Sequence, residues 1–221
     1  MKAHPPLIAL ISAVPAAIPP ARAAFDDLFP DATVWNVVDD RLVDDADGEI
    51  TARLAARMQR LVDHTVVEGA DAVLLTCSMY AGVAHRADVD AAIPVHGPDD
   101  GLFDAVAAGG FRRIVLVSPG ADPLADSMAR MKTVIEPDVT VVGVVADDAP
   151  AAASTGDVDA LVEAVVSAVG HASPSLDAVV LGQYSLAPAA SGVQAAVGVP
   201  TLAAPDHAVR RLRRLLTGHA S

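Results

Sequence analysis

DAVLLTCSMYAG (residues 71–82) and DAVVLGQYSLAP (residues 177–188) are two versions of one segment, and only the first carries a cysteine. They lie 106 positions apart, and the same offset lays IALIS (8–12) on IVLVS (114–118) and Ile93-Pro94 on Val199-Pro200. NVVDD (36–40) also resembles GVVADD (143–148) once a small insertion is allowed. Several matches at a single spacing mark a structural unit written twice.

Each copy reads in the same order. A strand (7–12 or 113–118) leads through a proline- or glycine-containing loop to a helix (about 20–29 or 123–135). A second strand follows (33–38 or 139–145), then a polar loop and a longer helix. In the first copy Ile50, Leu54, Met58, Leu61 and Val62 recur at helical spacing. In the second, Val158, Leu161, Val162, Val165 and Val166 do so, with Thr155 as the expected cap. A third strand (AVLLT or AVVLG), a turn and helix, a short strand ending at Val95 or Leu202, and a last helix (101–108 or 207–216) complete each copy. Strands alternating with helices imply parallel sheets with right-handed crossovers. The expected fold is α/β: two pseudo-symmetric Rossmann-like lobes, each a short parallel sheet flanked by helices, with an active-site cleft between them. The expected division is 1–97 with about 203–221, and 98–202.

Composition agrees. The 221 residues are 52% hydrophobic, with a mean hydropathy of +0.41, enough for a sizeable core. The formal charge of −13 excludes nucleic acid as an expected partner, because phosphate contacts need Lys and Arg. The single basic cluster, RRLRR (210–214), reads as a solvated helix face near a helix C-terminus rather than an anion site. No apolar run is long and unbroken enough for a membrane span. The N-terminal 23 residues imitate a secretory signal, but prolines interrupt them and LIALIS reads as a strand, so a cytoplasmic location is expected.

In parallel sheets the ligand site lies beyond the carboxyl ends of the strands. That rule selects Ser12 and Ser118, which end the first strands, and Cys77 and Gln183, just past the third. If the halves face each other about a pseudo-twofold axis, all four converge. The bland alternatives are a cysteine acting as a small core hydrophobe and serines that cap turns. The first strand is followed by SAVPAAIPP, with no glycine-rich phosphate loop, so no dinucleotide cofactor is expected. The seven histidines show no metal spacing. His85 lies eight residues past Cys77, as a remote candidate for a Cys/His pair. His4, His64, His171 and His219 read as surface or terminal, His96 as loop, and Asp206 as an N-cap beside His207. The acidic run DDRLVDDADGE (39–49) lacks the pattern of a calcium loop.

Two α/β halves, with TCS after the third strand of one and a matching motif in the other, resemble the aspartate/glutamate/hydantoin racemase superfamily. The resemblance spans the whole chain. It implies cofactor-independent chemistry, without metal, at the carbon next to a carboxylate, on a small substrate such as those of amino-acid metabolism. It also implies a homodimer, and a loop after the second strand that serves as a lid or rim. In the family's racemases a cysteine from each lobe works on opposite faces of the α-carbon. Cys77 matches the first of these, and Ser78 stands where asparagine often follows. The second lobe usually reads Leu-Gly-Cys-Thr-His, whereas this chain reads Leu181-Gly182-Gln183-Tyr184-Ser185.

Glutamine offers hydrogen bonds but no proton-transfer chemistry. Three enzymatic readings follow. Cys77 works with an unusual partner such as Tyr184 in a racemase or epimerase. Alternatively it is the sole proton donor of a decarboxylase, or a nucleophile as in maleate isomerases. The rival from another class is a non-catalytic binder of small carboxylates. In the enzymatic readings Ser12, Ser78, Ser118, Gln183, Tyr184 and Ser185 bind substrate oxygens, Gln183 in the manner of an oxyanion-hole donor.

Overall fold

The computed structural model describes residues 4–46, 49–90, 92–172 and 175–218. His219, Asp47 of the acidic run and the first three residues of the signal-like stretch lie outside them. The first copy folds as β1 (Leu7–Ser12), α1 (Ile18–Leu28), β2 (Thr33–Val38), α2 (Arg41–Asp44), α3 (Ala52–Val67), β3 (Ala72–Leu75), α4 (Ala81–Asp90) and β4 (Val95–His96). After α5 (Asp100–Ala108) the second copy follows as β5 (Arg113–Ser118), α6 (Ala121–Met131), β6 (Thr140–Val145), α7 (Ala149–Thr155), α8 (Val158–Gly170), β7 (Ala178–Leu181), α9 (Ala190–Val197), β8 (Thr201–Ala203) and α10 (Ala204–Thr217). The strands form two parallel four-stranded sheets of identical order, β2-β1-β3-β4 and β6-β5-β7-β8. This is the α/β architecture read from the sequence.

The chain divides into two compact units, Met1–Asp100 with Ala208–Ser221, and Gly101–His207. Each has its own core. The inner strands β3 and β7 are buried along their whole length, as expected where helices cover both faces of a parallel sheet. On α3 the helical stripe delivers Leu54, Met58 and Val62 to the first core, each at most 1% exposed. Burying such a side chain is worth about 1.5–3 kcal/mol. On α8, Leu161 and Val165 do the same for the second core, while Val158 stays exposed. In the second unit the Arg130 guanidinium lies 5.4 Å over the Phe103 ring of α5. In the first, Arg211 and Arg213 of α10 donate to His96 Nδ1 and the Leu28 carbonyl, both at 2.9 Å.

The repeated aspartate of the two opening segments ties strands together. Asp71 Oδ2 accepts from the Leu7 N–H at 2.7 Å, and Asp177 Oδ2 accepts from the N–H groups of Arg112 and Arg113 at 2.8 Å. Each carboxylate thus closes the start of the third strand onto the start of the first. The donors at Asp177 hold its carboxyl below the ordinary value of 3.8.

Three local expectations need correcting. Thr155 does not cap α8; it ends α7, because Gly156 in the left-handed region (φ 71°) stops that helix, and Asp157 caps the next by accepting from Ala160 N at 3.0 Å. His96 is no loop residue but a buried residue of β4. Asp206 lies inside the first turn of α10, not at its cap, since the helix already begins at Ala204 with Pro205 in the first turn, where its missing N–H costs nothing. The polar loops after β2 and β6 each contain a helix, α2 and α7.

Candidate active site

In the first unit the carboxyl ends of β1 and β3 lie side by side, with Ile11 paired to Leu75. The next residues, Ser12 and Thr76, therefore face each other. Thr76 Oγ1 donates to Ser12 Oγ at 2.9 Å, and both are buried. Cys77 comes next, 8% exposed and in extended conformation (φ −115°, ψ 120°). Its carbonyl accepts from Tyr80 N at 3.1 Å, closing a 3-10 turn over Ser78–Tyr80. The α-helix proper begins only at Ala81, after this short turn. Ser78 is buried in it.

The second unit repeats this backbone with different side chains. Ser118 ends β5, and Gln183 occupies the extended position before the 3-10 turn Tyr184–Ala189. The hydrogen bonds Thr76 N to Ile11 O and Tyr80 N to Cys77 O recur as Gly182 N to Val117 O and Leu186 N to Gln183 O. Glycine 182 replaces Thr76, however, and the buried Ser118 Oγ has no hydrogen-bond partner among the described residues. Tyr184 is buried, while Gln183 and Ser185 are half-buried. Within the first unit Ser12, Cys77 and Ser78 thus share the carboxyl end of one sheet. Within the second, Ser118, Gln183, Tyr184 and Ser185 share the corresponding one.

Sequence reading missed a polar network under the cysteine turn. Tyr80 OH donates to the Leu42 carbonyl at 2.7 Å. Leu42 lies between Asp39 and Asp45, and Arg57 of α3 clamps both. Its Nε and Nη2 reach Asp39 at 2.6 and 2.7 Å, and Nη1 reaches Asp45 Oδ2 at 3.1 Å. Asp39 N in turn donates to the Ser12 carbonyl at 3.0 Å. Burial, then the neighbouring Cys77 and Asp39, push the Tyr80 phenol up to about 12, with Arg57 opposing, so it remains a neutral donor. The acidic run was visible in the sequence, but its cation lies 18 positions away and no local pattern links them.

His85 does not turn Nε2 toward Cys77; that nitrogen meets Asp100 Oδ1 at 2.7 Å. Asp100 Oδ2 also accepts from Gly97 N at 2.8 Å. Burial pushes the Asp100 carboxyl up, but the His85 and Gly97 contacts outweigh it and hold it below its ordinary value. Among the described residues no three His, Cys, Asp or Glu side chains gather to hold a metal ion. No described helix is long and apolar enough to cross a membrane.

No protein-family model and no curated protein matches this chain. Solved structures do. Glutamate racemase from Thermus thermophilus superposes with a TM-score of 0.76 at 18% identity, over 98% of this chain and 82% of that one. Allantoin racemase from Klebsiella pneumoniae gives 0.73 at 18%, over 97% and 89%. Unliganded arylmalonate decarboxylase gives 0.67 at 19%, over 98% and 94%. The chain has the fold of these enzymes along nearly its full length, as the resemblance in its motifs implied.

Proposed function

We propose that this chain is a cofactor-independent enzyme of the racemase and epimerase type, moving a proton at the carbon next to the carboxylate of a small substrate, with Cys77 as the acid/base. The observation that carries this reading is the placement of the only thiol directly past β3, beside the Ser12–Thr76 hydroxyl pair, in a fold shared with racemases and a decarboxylase. The thiolate takes the α-proton, and the electron pair passes into the carboxylate to form an enediolate. Ser12, Ser78, Ser118, Gln183, Tyr184 and Ser185 supply hydrogen bonds to its oxygens. A donor of that kind is typically worth about 3 kcal/mol in a transition state. Inversion needs a second proton donor on the other face, and Tyr184 is this chain's candidate. The reading carries with it a homodimer and a cytoplasmic location.

A second reading is favoured by Gln183, which cannot exchange a proton. With one thiol, the chemistry that balances most simply is decarboxylation. The bond to the departing carboxylate breaks, CO₂ leaves, its electron pair forms the enediolate, and the Cys77 thiol protonates one face before regaining its proton from water.

Incubation in D₂O with amino acids, hydantoins and substituted malonates separates the readings. Racemase-type action puts deuterium at the α-carbon without loss of CO₂; the lyase releases CO₂ and labels a single enantiomer. Cys77→Ala abolishes either activity while the protein stays folded. A variant that keeps wild-type turnover ends the proposal, and no exchange or CO₂ from any substrate moves the chain to the class of carboxylate binders.

A further inference from the structure

The second copy is an internal control for the first. The backbone bonds Asp39 N to Ser12 O, Leu42 N to Asp39 O and Asp45 N to Arg41 O recur as Ala146 N to Ser118 O, Ala149 N to Ala146 O and Ala152 N to Asp148 O. These pairs fix the correspondence without any appeal to sequence similarity. Asp39, Leu42 and Asp45 thus become Ala146, Ala149 and Ala152, and Tyr80 becomes Leu186. All four replacements are buried members of the second core. The buried stripe of α3 (Leu54, Met58, Val62) matches that of α8 (Leu161, Val165, Val169), which lays Arg57 on Ala164. In the second copy the places of Asp39, Asp45 and Tyr80 are filled by apolar side chains over the same backbone bonds. The charged clamp is therefore not what the fold needs, and it occurs only in the copy that carries the thiol.

We propose that Arg57 and Tyr80 are positioning residues for Cys77: Tyr80 holds its turn to the loop after β2, and the Arg57–Asp39–Asp45 clamp sets the charge around the thiol. The proposal rests on reading Cys77 as the reactive group. The path of bonds is closed. From the Cys77 turn it runs through Tyr80 to Leu42, along the loop to Asp39, by Asp39 N to Ser12, and by Thr76 back to Cys77. Arg57 locks the loop from α3 with three bonds. Arg41 and Arg53 also pair with Asp45, at 3.0 and 3.7 Å, from the exposed side. Around the turn the charged and titratable groups of this network are thus Asp39, Asp45, Arg57 and Tyr80, with Arg41 and Arg53 farther out. Cys77, Asp39, Arg57 and Asp45 all act on the Tyr80 phenol, so they lie within electrostatic reach of one residue.

The test is the pH dependence of alkylation of the full-length protein by iodoacetamide, which reads Cys77 unambiguously because it is the sole cysteine. Arg57→Gln removes the cation, leaves two carboxylates, and moves the midpoint of the reactivity curve up by about half a unit or more. Asp39→Asn/Asp45→Asn leaves the cation and moves it down. Arg57→Lys keeps the charge and restores most of the wild-type midpoint. Tyr80→Phe keeps every charge, leaves the midpoint in place and changes the maximal rate. Simple loosening of the structure would move the charge variants in the same direction. Shifts of one sign, or unshifted curves beside lowered melting temperatures, overturn the proposal. An unchanged Tyr80→Phe curve overturns it for Tyr80. Should Arg57→Gln fail to fold, the Asp39→Asn/Asp45→Asn curve decides alone, a downward shift supporting and its absence overturning. None of these readouts uses a substrate, so a Cys77→Ala variant that keeps turnover would end the functional reading and leave the labelling result standing.

Discussion

Replacing Thr76 with valine keeps the shape of a buried side chain and deletes the donor to Ser12 Oγ, a 2.9 Å bond between residues 4% and 0% exposed. A typical intramolecular hydrogen bond contributes about 0.5–1.5 kcal/mol net, and an abandoned buried partner adds its own desolvation cost, so the loss should be about 1–2 kcal/mol. Ser12→Ala removes the other end, and the double variant should cost clearly less than the two single changes together, with a coupling of about 1 kcal/mol. Urea unfolding is best followed by the lone tryptophan. Trp35 packs against the first core, 5.6 Å from the His64 ring, and therefore reports the unit that contains the change. A probe confined to one unit matters because a chain of two compact units need not unfold in a single step. The second copy supplies the contrast. Ser118 Oγ already lacks a partner among the described residues, so Ser118→Ala should cost almost nothing or stabilise, while lowering turnover if that hydroxyl serves the substrate. Additivity of Thr76→Val and Ser12→Ala within about 0.3 kcal/mol would refute the reasoning. A large stability loss for Ser118→Ala would do the same.

The remaining predictions concern the paired segments. Asp177→Asn should destabilise the chain at pH 7, with the gap closing in acid. The Asp177 carboxyl is depressed in the folded state, so its contribution is fully present above the unfolded value near 3.8 and vanishes as pH falls through the lower folded value. Urea midpoints of the variant and the parent at pH 7 and near pH 3 check the sign, and a gap that widens in acid contradicts it. Gln183→Cys places a second thiol on a matching backbone without the clamp. The clamp sets two carboxylates against one guanidinium beside Cys77, and Gln183 is the more exposed position, so the new thiol reacts faster; a slower one contradicts the charge argument. Peptide mass spectrometry after partial alkylation ranks the two.

The doubled architecture was legible because the burial that defines it is local in sequence. Short runs such as IALIS and AVLL are buried inner strands, and their spacing of 106 is kept by the structure: β1 to β5, β3 to β7 and β4 to β8 all start that far apart. β2 to β6 starts 107 apart, which is the small insertion that the weaker NVVDD match required. Illegible features depend on long-range partners or on competition between neighbouring signals. Thr155 has the chemistry of a cap, but APAAAST forms a helix of its own, and the choice passed to Asp157. His96 looked like loop because proline and glycine flank it; pairing of β4 with β3 and the Arg211 contact from the far end of the chain place it in a sheet. The Ser12–Thr76 bond spans 64 positions, and nothing local to either residue announces it.

Duplication lets the physical demands of the fold be separated from those of the site. Where both copies keep a polar group, a backbone requirement explains it: Asp71 and Asp177 each satisfy N–H groups at the start of a first strand that no neighbouring strand reaches. Where the copies differ, no backbone requirement is involved, because the main-chain bonds are the same on both sides. Cys77, Thr76, Tyr80, Asp39, Asp45 and Arg57 belong to this second class, against Gln183, Gly182, Leu186, Ala146, Ala152 and Ala164. Polar groups buried without need cost stability, and the alanine and leucine solution was open to the first copy, since the second adopts it. Under the proposed function, the costlier set beside the one thiol serves chemistry at the first site, and the cheaper set beside a glutamine serves hydrogen bonding at the second.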